Sequence, residues 1–322
     1  MFELTAENAS TYLGRPCTAV ALGGGVSNSV VLVEAGADRF ILKQSLAKLR
    51  VEQDWYSDRG RIFRESAALQ RLALVLSDAV VPKVLFEDRA NFLFAMTAAP
   101  AHAQTWKEQL LLGDVREHTA RQIGDILGTI IASTWRDAAC EAEFGDQTVF
   151  DELRIDPYYR TAALHNPDIA PSLHQLIAES SKRRVSLVHG DWSPKNFLVA
   201  EGRVIVIDFE VIHYGDPAFD AAFLLNHLLL KSFYRQEWKA RYRSAAMAFW
   251  TALQLRLPAE ANWFEAETIR HLGALMLARV DGKSPAEYIT TDDLKAAVRR
   301  FARDLIVDPP LTIESVWHRL LD

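Results

Sequence analysis

The pattern of hydrophobic and polar positions changes character near residue 98. Before that point, apolar residues alternate with polar ones in short runs bounded by glycine, which is typical of antiparallel strands. After it, apolar residues recur at spacings of three, four and seven, which predicts long helices. We therefore predict an α+β chain of two lobes, with a small antiparallel-sheet lobe over 1–97 and a larger, mainly helical lobe over 98–322.

The first lobe is predicted to contain five strands and one helix. The strands fall at 17–22, 29–34, 40–43, 80–84 and 92–96, and the helix spans 61–76. The second lobe is predicted to contain helices at about 115–138, 171–181, 218–231, 235–255, 263–279, 291–305 and 312–321. A further apolar stretch, 197–207, is predicted to be a hairpin that turns at Glu201 and Gly202.

Composition narrows the functional class. The net charge of −6 and the lack of a basic tract argue against nucleic acid or an anionic membrane as a partner. Two cysteines are too few for a disulfide framework, and the first residues lack a secretory pattern, so we expect a cytoplasmic protein. The most apolar stretch, Ala218 to Leu230, contains Asp220 and Asn226 and is predicted to be a buried helix.

The segment Leu187-Val-His-Gly-Asp-Trp-Ser-Pro-Lys-Asn196 carries the clearest chemistry. The hairpin that follows brings Asn196 opposite Ile207 if the turn has two residues, or opposite Asp208 if it has three. Either register places Asp191, Asn196 and Asp208 at one end of the hairpin. Their carboxylate and amide oxygens suit Mg²⁺ and the phosphates that it binds, which points to phosphoryl transfer.

Three upstream features fit the same chemistry, although each alone has a simpler explanation. Gly23-Gly-Gly25 lies between two predicted strands, where Gly24, Gly25 and Ser27 would cradle phosphates, but such glycines are often only a turn. Lys43 ends a predicted strand and Glu65 lies on the following helix. Each could equally be a solvated surface residue, and it is their order and spacing together that favours a nucleotide site.

The complete set of motifs resembles the aminoglycoside phosphotransferase and choline kinase group, which has the protein-kinase-like fold. The resemblance extends from about residue 20 to residue 230. It implies that Asp191 is the catalytic base and that His189 supports its loop. It further implies nucleotide-phosphate binding by Lys43 with Glu65 as its partner, an adenine-binding hinge from Met96 to Ala98, Mg²⁺ ligands at Asn196 and Asp208, and a structural role for Asp220 as acceptor from the catalytic-loop backbone.

Several positions leave alternatives open. Trp192 is either a platform for the substrate or a core anchor, and Lys195 either neutralises the transferring phosphoryl group or is solvated. Glu210 either acts through water or shapes the turn. Arg279 and Asp281 are candidate substrate residues beside a helix end where Gly282 is a natural C-cap, although capping alone explains this pattern.

These observations together predict an ATP-dependent kinase that phosphorylates a hydroxyl of a small molecule, such as an amino sugar, a sugar or an amino alcohol. GTP is the alternative nucleotide, and Mg²⁺ is the expected metal. A protein kinase is disfavoured because only twelve residues separate Asp208 from Asp220. A nucleotide-binding pseudoenzyme or scaffold is the alternative from another class, although the chain keeps Lys43, Asp191 and Asn196. The sequence leaves the acceptor and the oligomeric state open.

Overall fold

The computed structural model describes residues 2–23, 27–46, 58–77 and 79–321. The chain forms two compact units. The first comprises Met1–Ala103 and Ile205–Val211, and the second comprises Gln104–Val204 and Ile212–Asp322. The short segment 205–211 thus belongs to the first unit although its flanking chain belongs to the second. The assignment of 1–97 to nucleotide binding and 98–322 to catalysis and substrate binding stays a prediction.

The first unit is built on one antiparallel sheet with the strand order β1-β2-β3-β5-β4. Inward-facing residues such as Val31, Val33 and Leu42 are fully buried, as alternation along a half-buried strand requires. Its elements are α1 (Ala9–Leu13), β1 (Thr18–Ala21), β2 (Asn28–Ala35), β3 (Asp38–Ser45), α2 (Arg61–Leu72), β4 (Val84–Asp88) and β5 (Leu93–Thr97).

The prediction of a strand over 80–84 was wrong. The strand β4 begins only at Val84 and continues to Asp88. Pro82 has no N–H to donate to a ladder, and the carbonyl of Val80 instead accepts a hydrogen bond from the Val206 amide at 2.7 Å. The helix predicted over 61–76 ends earlier, at Leu72.

The second unit is mainly helical, as its periodicity predicts. It contains α3 (Trp106–Leu111), α4 (Glu117–Thr134), α5 (Ala138–Phe144), α6 (Thr148–Phe150), a π-helix (Asp151–Arg160), α7 (Thr161–His165), α8 (Ala170–Ser180), α9 (Ala218–Tyr234), α10 (Lys239–Gln254), α11 (Phe264–Asp281), α12 (Asp292–Val307) and α13 (Ile313–Leu321). Short 3₁₀ turns occupy Pro194–Asn196 and Gln236–Trp238. Among the described residues, no helix is both long and apolar enough to span a membrane.

Two helical predictions need correction. The single helix predicted over 115–138 breaks after Thr134, because Trp135 is extended and Arg136 has φ 51°, and α5 then starts from an Asp137 cap. The helices between 138 and 165 were not predicted. Their central part is a π-helix that contains Pro157, so its side chains do not follow the 3.6-residue period on which the prediction depends.

Short strands lie on either side of the loop that carries the motif. β7 (Ser186–Val188) pairs with β10 (His213–Gly215), and β6 (Gln104–Thr105) pairs with β8 (Phe197–Ala200). β9 (Arg203–Val206) follows β8 after two residues, Glu201 and Gly202, with φ of 53° and 73°. Positive φ at both positions is the signature of a tight hairpin turn, so the predicted turn at Glu201 and Gly202 is confirmed, and of the two lengths left open it has two residues.

Candidate active site

A buried lysine lies at the centre of the first unit. Lys43 on β3 points its ammonium at Glu65 on α2, with Nζ–Oε2 2.7 Å, and at Asp208, with Nζ–Oδ1 2.6 Å. The Lys43 and Glu65 side chains are almost fully buried, whereas that of Asp208 is 25% exposed. The predicted pairing of Lys43 with Glu65 is therefore present, and Asp208 is the more exposed of the two carboxylates that contact Lys43.

Burial and the neighbouring charges act differently on the pKa of Lys43 and on that of Glu65. Burial alone would lower the pKa of Lys43, but Asp208, Glu65 and Glu210 outweigh it and the pKa lies above its ordinary value. Burial raises the pKa of Glu65, although the Lys43 ammonium opposes that change. Lys43 thus carries a fixed positive charge, which suits a residue that contacts phosphate oxygens.

Glu210 holds the start of β2. Its carboxylate accepts hydrogen bonds from Ser27 Oγ at 2.7 and 2.8 Å and from Asn28 Nδ2 at 2.7 Å. Arg61 Nε lies 3.6 Å from the same carboxylate, and Arg61 Nη2 donates to the Ser27 carbonyl at 2.6 Å. The carboxylate therefore has direct protein partners, a role that neither alternative for this residue had specified.

The other predicted nucleotide-binding residues are distributed as follows. Gly24 and Gly25 lie outside the described residues. Ser27 is 4% exposed, and its hydroxyl is engaged by Glu210. Met96 lies in β5, opposite Ile41 on one side and Val84 on the other, and Ala98 follows just beyond the end of that strand. Their roles toward a nucleotide stay predictions.

The second unit positions the motif loop through its backbone. The amides of His189 and Gly190 donate to the two oxygens of Asp220 at 2.6 and 2.9 Å, which confirms the predicted role of Asp220 as a backbone acceptor. Gly190 has φ 76°, a conformation that favours glycine. His189 Nδ1 then accepts from the Asp191 amide at 3.1 Å, so His189 supports the loop directly.

The Asp191 carboxylate is held by two cations. Arg154 Nη2 and Lys195 Nζ approach Asp191 Oδ2 at 3.0 and 2.9 Å. Burial alone would raise the pKa of Asp191, but Lys195 and Arg154 outweigh it and hold the pKa below its ordinary range. These cations therefore favour the ionised form of Asp191, in which the carboxylate can accept a hydrogen bond from a hydroxyl.

Sequence reasoning missed both partners of Asp191. Lys195 is half-exposed, so solvation was a reasonable expectation, yet its ammonium reaches back to the carboxylate four residues earlier. Arg154 lies on the π-helix, and its Nε also donates to the Gly190 carbonyl at 2.6 Å. The one available signal was an arginine inside the apolar and aromatic stretch Leu153 to Tyr159.

Trp192 and Asn196 complete the loop. The Trp192 indole is fully buried and packs edge-to-face on Phe197 at 4.9 Å and against His189 at 5.4 Å. This burial favours the core-anchor alternative over a substrate platform. Asn196 Nδ2 donates to the Asp191 carbonyl at 2.9 Å, which fixes the amide group of a side chain that is 3% exposed.

The two candidate substrate residues on α11 differ in their surroundings. Asp281 is engaged by Arg299, with a shortest contact of 2.7 Å, and by Asn166 at 3.0 Å, so it already has structural partners. Arg279 donates to Tyr158 and Ser284, which are uncharged. Gly282 is extended, with φ −91°, rather than left-handed as a C-cap glycine would be. A Cβ there would lie 2.5 Å from the Ala278 carbonyl oxygen.

Comparison with known proteins identifies the family. Residues 18–264 match the model of the phosphotransferase enzyme family. The chain belongs to this family. The resemblance to the aminoglycoside phosphotransferase and choline kinase group is thereby confirmed, and with it the expected protein-kinase-like fold.

Curated relatives include two methylthioribose kinases. That of Escherichia coli O45:K1 is 27% identical over 253 residues, covering 70% of this chain and 60% of the relative. That of Pectobacterium atrosepticum is 29% identical over 243 residues, covering 66% of this chain and 60% of the relative. The chain thus spans about 60% of the length of these relatives.

Solved structures support the fold. An amicoumacin kinase in complex with AMP-PNP, Ca²⁺ and its ligand superimposes with a TM-score of 0.56 at 15% identity, covering 94% of this chain and 91% of the other. A spectinomycin phosphotransferase superimposes with a TM-score of 0.55 at 12% identity, covering 96% and 99%. At such low identity the similarity establishes the fold alone.

Proposed function

We propose that the protein is a kinase that transfers the γ-phosphoryl group of ATP to a hydroxyl of a small molecule. The observation that carries the proposal is the buried Lys43 ammonium between Glu65 and Asp208, at 2.7 and 2.6 Å. A fixed cation beside a partly exposed carboxylate is the arrangement that phosphoryl transfer uses to hold nucleotide phosphates and their metal. GTP is the alternative nucleotide.

We assign the remaining roles by chemistry. Asp191 accepts or orients the acceptor hydroxyl, because it is ionised and rigidly held. Asn196 and Asp208 would hold Mg²⁺, since amide and carboxylate oxygens are its preferred ligands. The donor set fits this ion, which commonly takes one or two protein ligands and completes its shell with phosphate oxygens and water. Bound there, the ion would neutralise charge on the phosphates.

We infer the chemical class of the acceptor from the similarity to the relatives and from the length of one segment of this chain. The methylthioribose kinases share their matched region with most of this chain, which favours a sugar or sugar-like alcohol. A polypeptide acceptor is disfavoured because the segment between Asp208 and Asp220 is too short for a peptide-docking region. An amino alcohol or amino sugar is the wider alternative.

The decisive test is the variant Asp191→Asn. It keeps the size of the side chain but removes the acceptor charge, so we expect turnover to fall by about 10²-fold or more while nucleotide binding persists. ADP release would be measured over sugars, amino sugars, aminoglycosides, amino alcohols and nucleosides, and nucleotide binding by calorimetry. Asp125→Asn is the matched control, because Asp125 is half-exposed and pairs with Arg256.

Each alternative to the proposed function predicts a different result in these assays. Normal turnover in Asp191→Asn would remove Asp191 from the chemistry. Nucleotide binding without transfer to any acceptor would identify a pseudoenzyme or scaffold. Phosphorylation of peptides but not of small molecules would identify a protein kinase.

A further inference from the structure

Two cationic side chains lie against the carboxylate of Asp191. Arg154 and Lys195 both pair with this one carboxylate, at 3.0 and 2.9 Å. Asp220, the nearby second carboxylate, is occupied by backbone amides of the same loop. Two cations therefore lie beside the carboxylate that an acceptor hydroxyl would approach.

A third cation, Arg279, lies near Tyr158, the aromatic residue that Arg154 also approaches. The Arg154 guanidinium lies 5.9 Å from the Tyr158 ring, and the Arg279 guanidinium lies at the same distance from that ring. Arg279 is 8% exposed, and Nη1 donates to Tyr158 Oη, Ser284 Oγ and the Ser284 carbonyl, all of them uncharged. Within the described ranges, Arg279 has no carboxylate at ion-pair distance, and its Nε meets no acceptor.

A fourth cation lies deeper in the same unit. Lys231 on α9 is fully buried, and its ammonium contacts Tyr288, 5.1 Å from the ring centre and 3.5 Å from the hydroxyl. Burial lowers the pKa of Lys231 to about 7, and the charges of Lys107 and Arg279 add to that effect. Glu287 opposes it, but this carboxylate is already paired with Lys107 at 2.5 Å.

A buried guanidinium such as that of Arg279 stays protonated, so without a carboxylate beside it the charge calls for a negative partner from elsewhere. We propose that the acceptor carries a carboxylate or phosphate group that binds Arg279, with Lys231 supplying further positive charge, while its hydroxyl approaches Asp191. This inference rests on the proposed kinase function and narrows its substrate to anionic alcohols. A polycationic acceptor would meet like charge at Arg279 and Lys231, which disfavours aminoglycosides.

The first test compares six-carbon acceptors of different charge. Gluconate and glucitol share an open polyhydroxy chain and differ in charge at C1, glucosamine is a cationic cyclic sugar, and glucose 6-phosphate is a cyclic sugar with a phosphate in place of the carboxylate. Each would be titrated into the wild-type protein saturated with AMP-PNP and Mg²⁺, and each would be offered as acceptor with ATP. We expect the anionic compounds to bind about tenfold or more tightly than glucitol, and glucosamine to bind most weakly.

The second test uses variants. Arg279→Gln should raise KM for the preferred anionic acceptor about tenfold or more, with KM for ATP unchanged. Lys231→Met keeps the packing volume and removes the buried charge, so it should weaken anion binding while leaving thermal stability equal to or above that of the wild type. Lys283→Met is the matched control, because Lys283 is 41% exposed and already paired with Asp156.

The outcomes separate this inference from the kinase function. If AMP-PNP does not bind, the kinase function fails. If AMP-PNP binds but anions show no preference over glucitol, or if both Arg279→Gln and Lys231→Met bind anions as the wild type does, the anionic acceptor is refuted and the two cations are structural. Preference for gluconate over glucose 6-phosphate, or the reverse, would decide between carboxylate and phosphate.

Discussion

The variant Glu210→Gln tests whether this carboxylate stabilises the first unit by holding the start of β2. In the folded chain Glu210 accepts from Ser27 and Asn28 and lies 3.6 Å from Arg61 Nε. The Glu210 side chain is 10% exposed and that of Arg61 is fully buried. Glutamine has nearly the same shape, so the substitution removes the charge with little change in packing.

The expected loss of unfolding free energy follows from these contacts. Hydrogen bonds to a charged group each contribute about 1.5–3 kcal/mol, and removal of one member of a buried ion pair costs about 3–5 kcal/mol. The amide of glutamine keeps one acceptor but turns a donor toward Asn28 or Ser27. We therefore expect the unfolding free energy of the first unit to fall by about 3 kcal/mol, which corresponds to a loss of roughly 10 °C or more in its Tm.

Differential scanning calorimetry would measure this change, with Glu34→Gln as the matched control. Glu34 lies on the same strand, β2, but is 57% exposed and pairs with Arg39 at 3.4 Å. Such a surface pair contributes about 0–1 kcal/mol, so the control should unfold close to the wild-type temperature. Equal Tm values for the two variants would show that Glu210 does not anchor the strand.

Two further predictions concern the second unit. Trp192→Ala should lower its unfolding free energy by about 3–5 kcal/mol, measured by urea denaturation, because the indole is fully buried; unchanged stability with a raised acceptor KM would instead make it a substrate platform. Lys231, with its pKa lowered by burial to about 7, loses its proton in the folded chain before it does so in the unfolded chain. Wild-type stability should therefore gain a contribution between pH 7 and pH 10 of at most about 1.4 kcal/mol per pH unit. Lys231→Met should lose this contribution, and identical pH profiles would contradict the assignment.

Local patterns were sufficient for much of the fold and part of the site. The alternation of apolar residues located four of the five first-unit strands, and the turn at Glu201 and Gly202 was predicted because a tight hairpin needs residues that tolerate positive φ. The pairing of Lys43 with Glu65 followed from the resemblance to a known family. The π-helix escaped prediction because its residues do not repeat at the helical period.

Those local patterns could not predict contacts between residues that are far apart in the sequence. Glu210 lies 183 residues from Ser27, and Arg154 lies 36 residues from the Gly190 carbonyl to which it donates. No periodicity relates such positions. Each looked like an ordinary charged residue in its own segment, and only the tertiary fold gives it a partner.

The same distinction explains why the net charge of −6 was a poor guide to the acceptor. Exposed charges more than about 8–10 Å apart are screened at physiological salt, so a binding site responds to its own neighbours rather than to the total charge. Around Asp191 those neighbours are Arg154 and Lys195, followed by Arg279. An acceptor that approaches Asp191, the proposed catalytic carboxylate, therefore meets cations whose presence the net charge of the chain does not reveal.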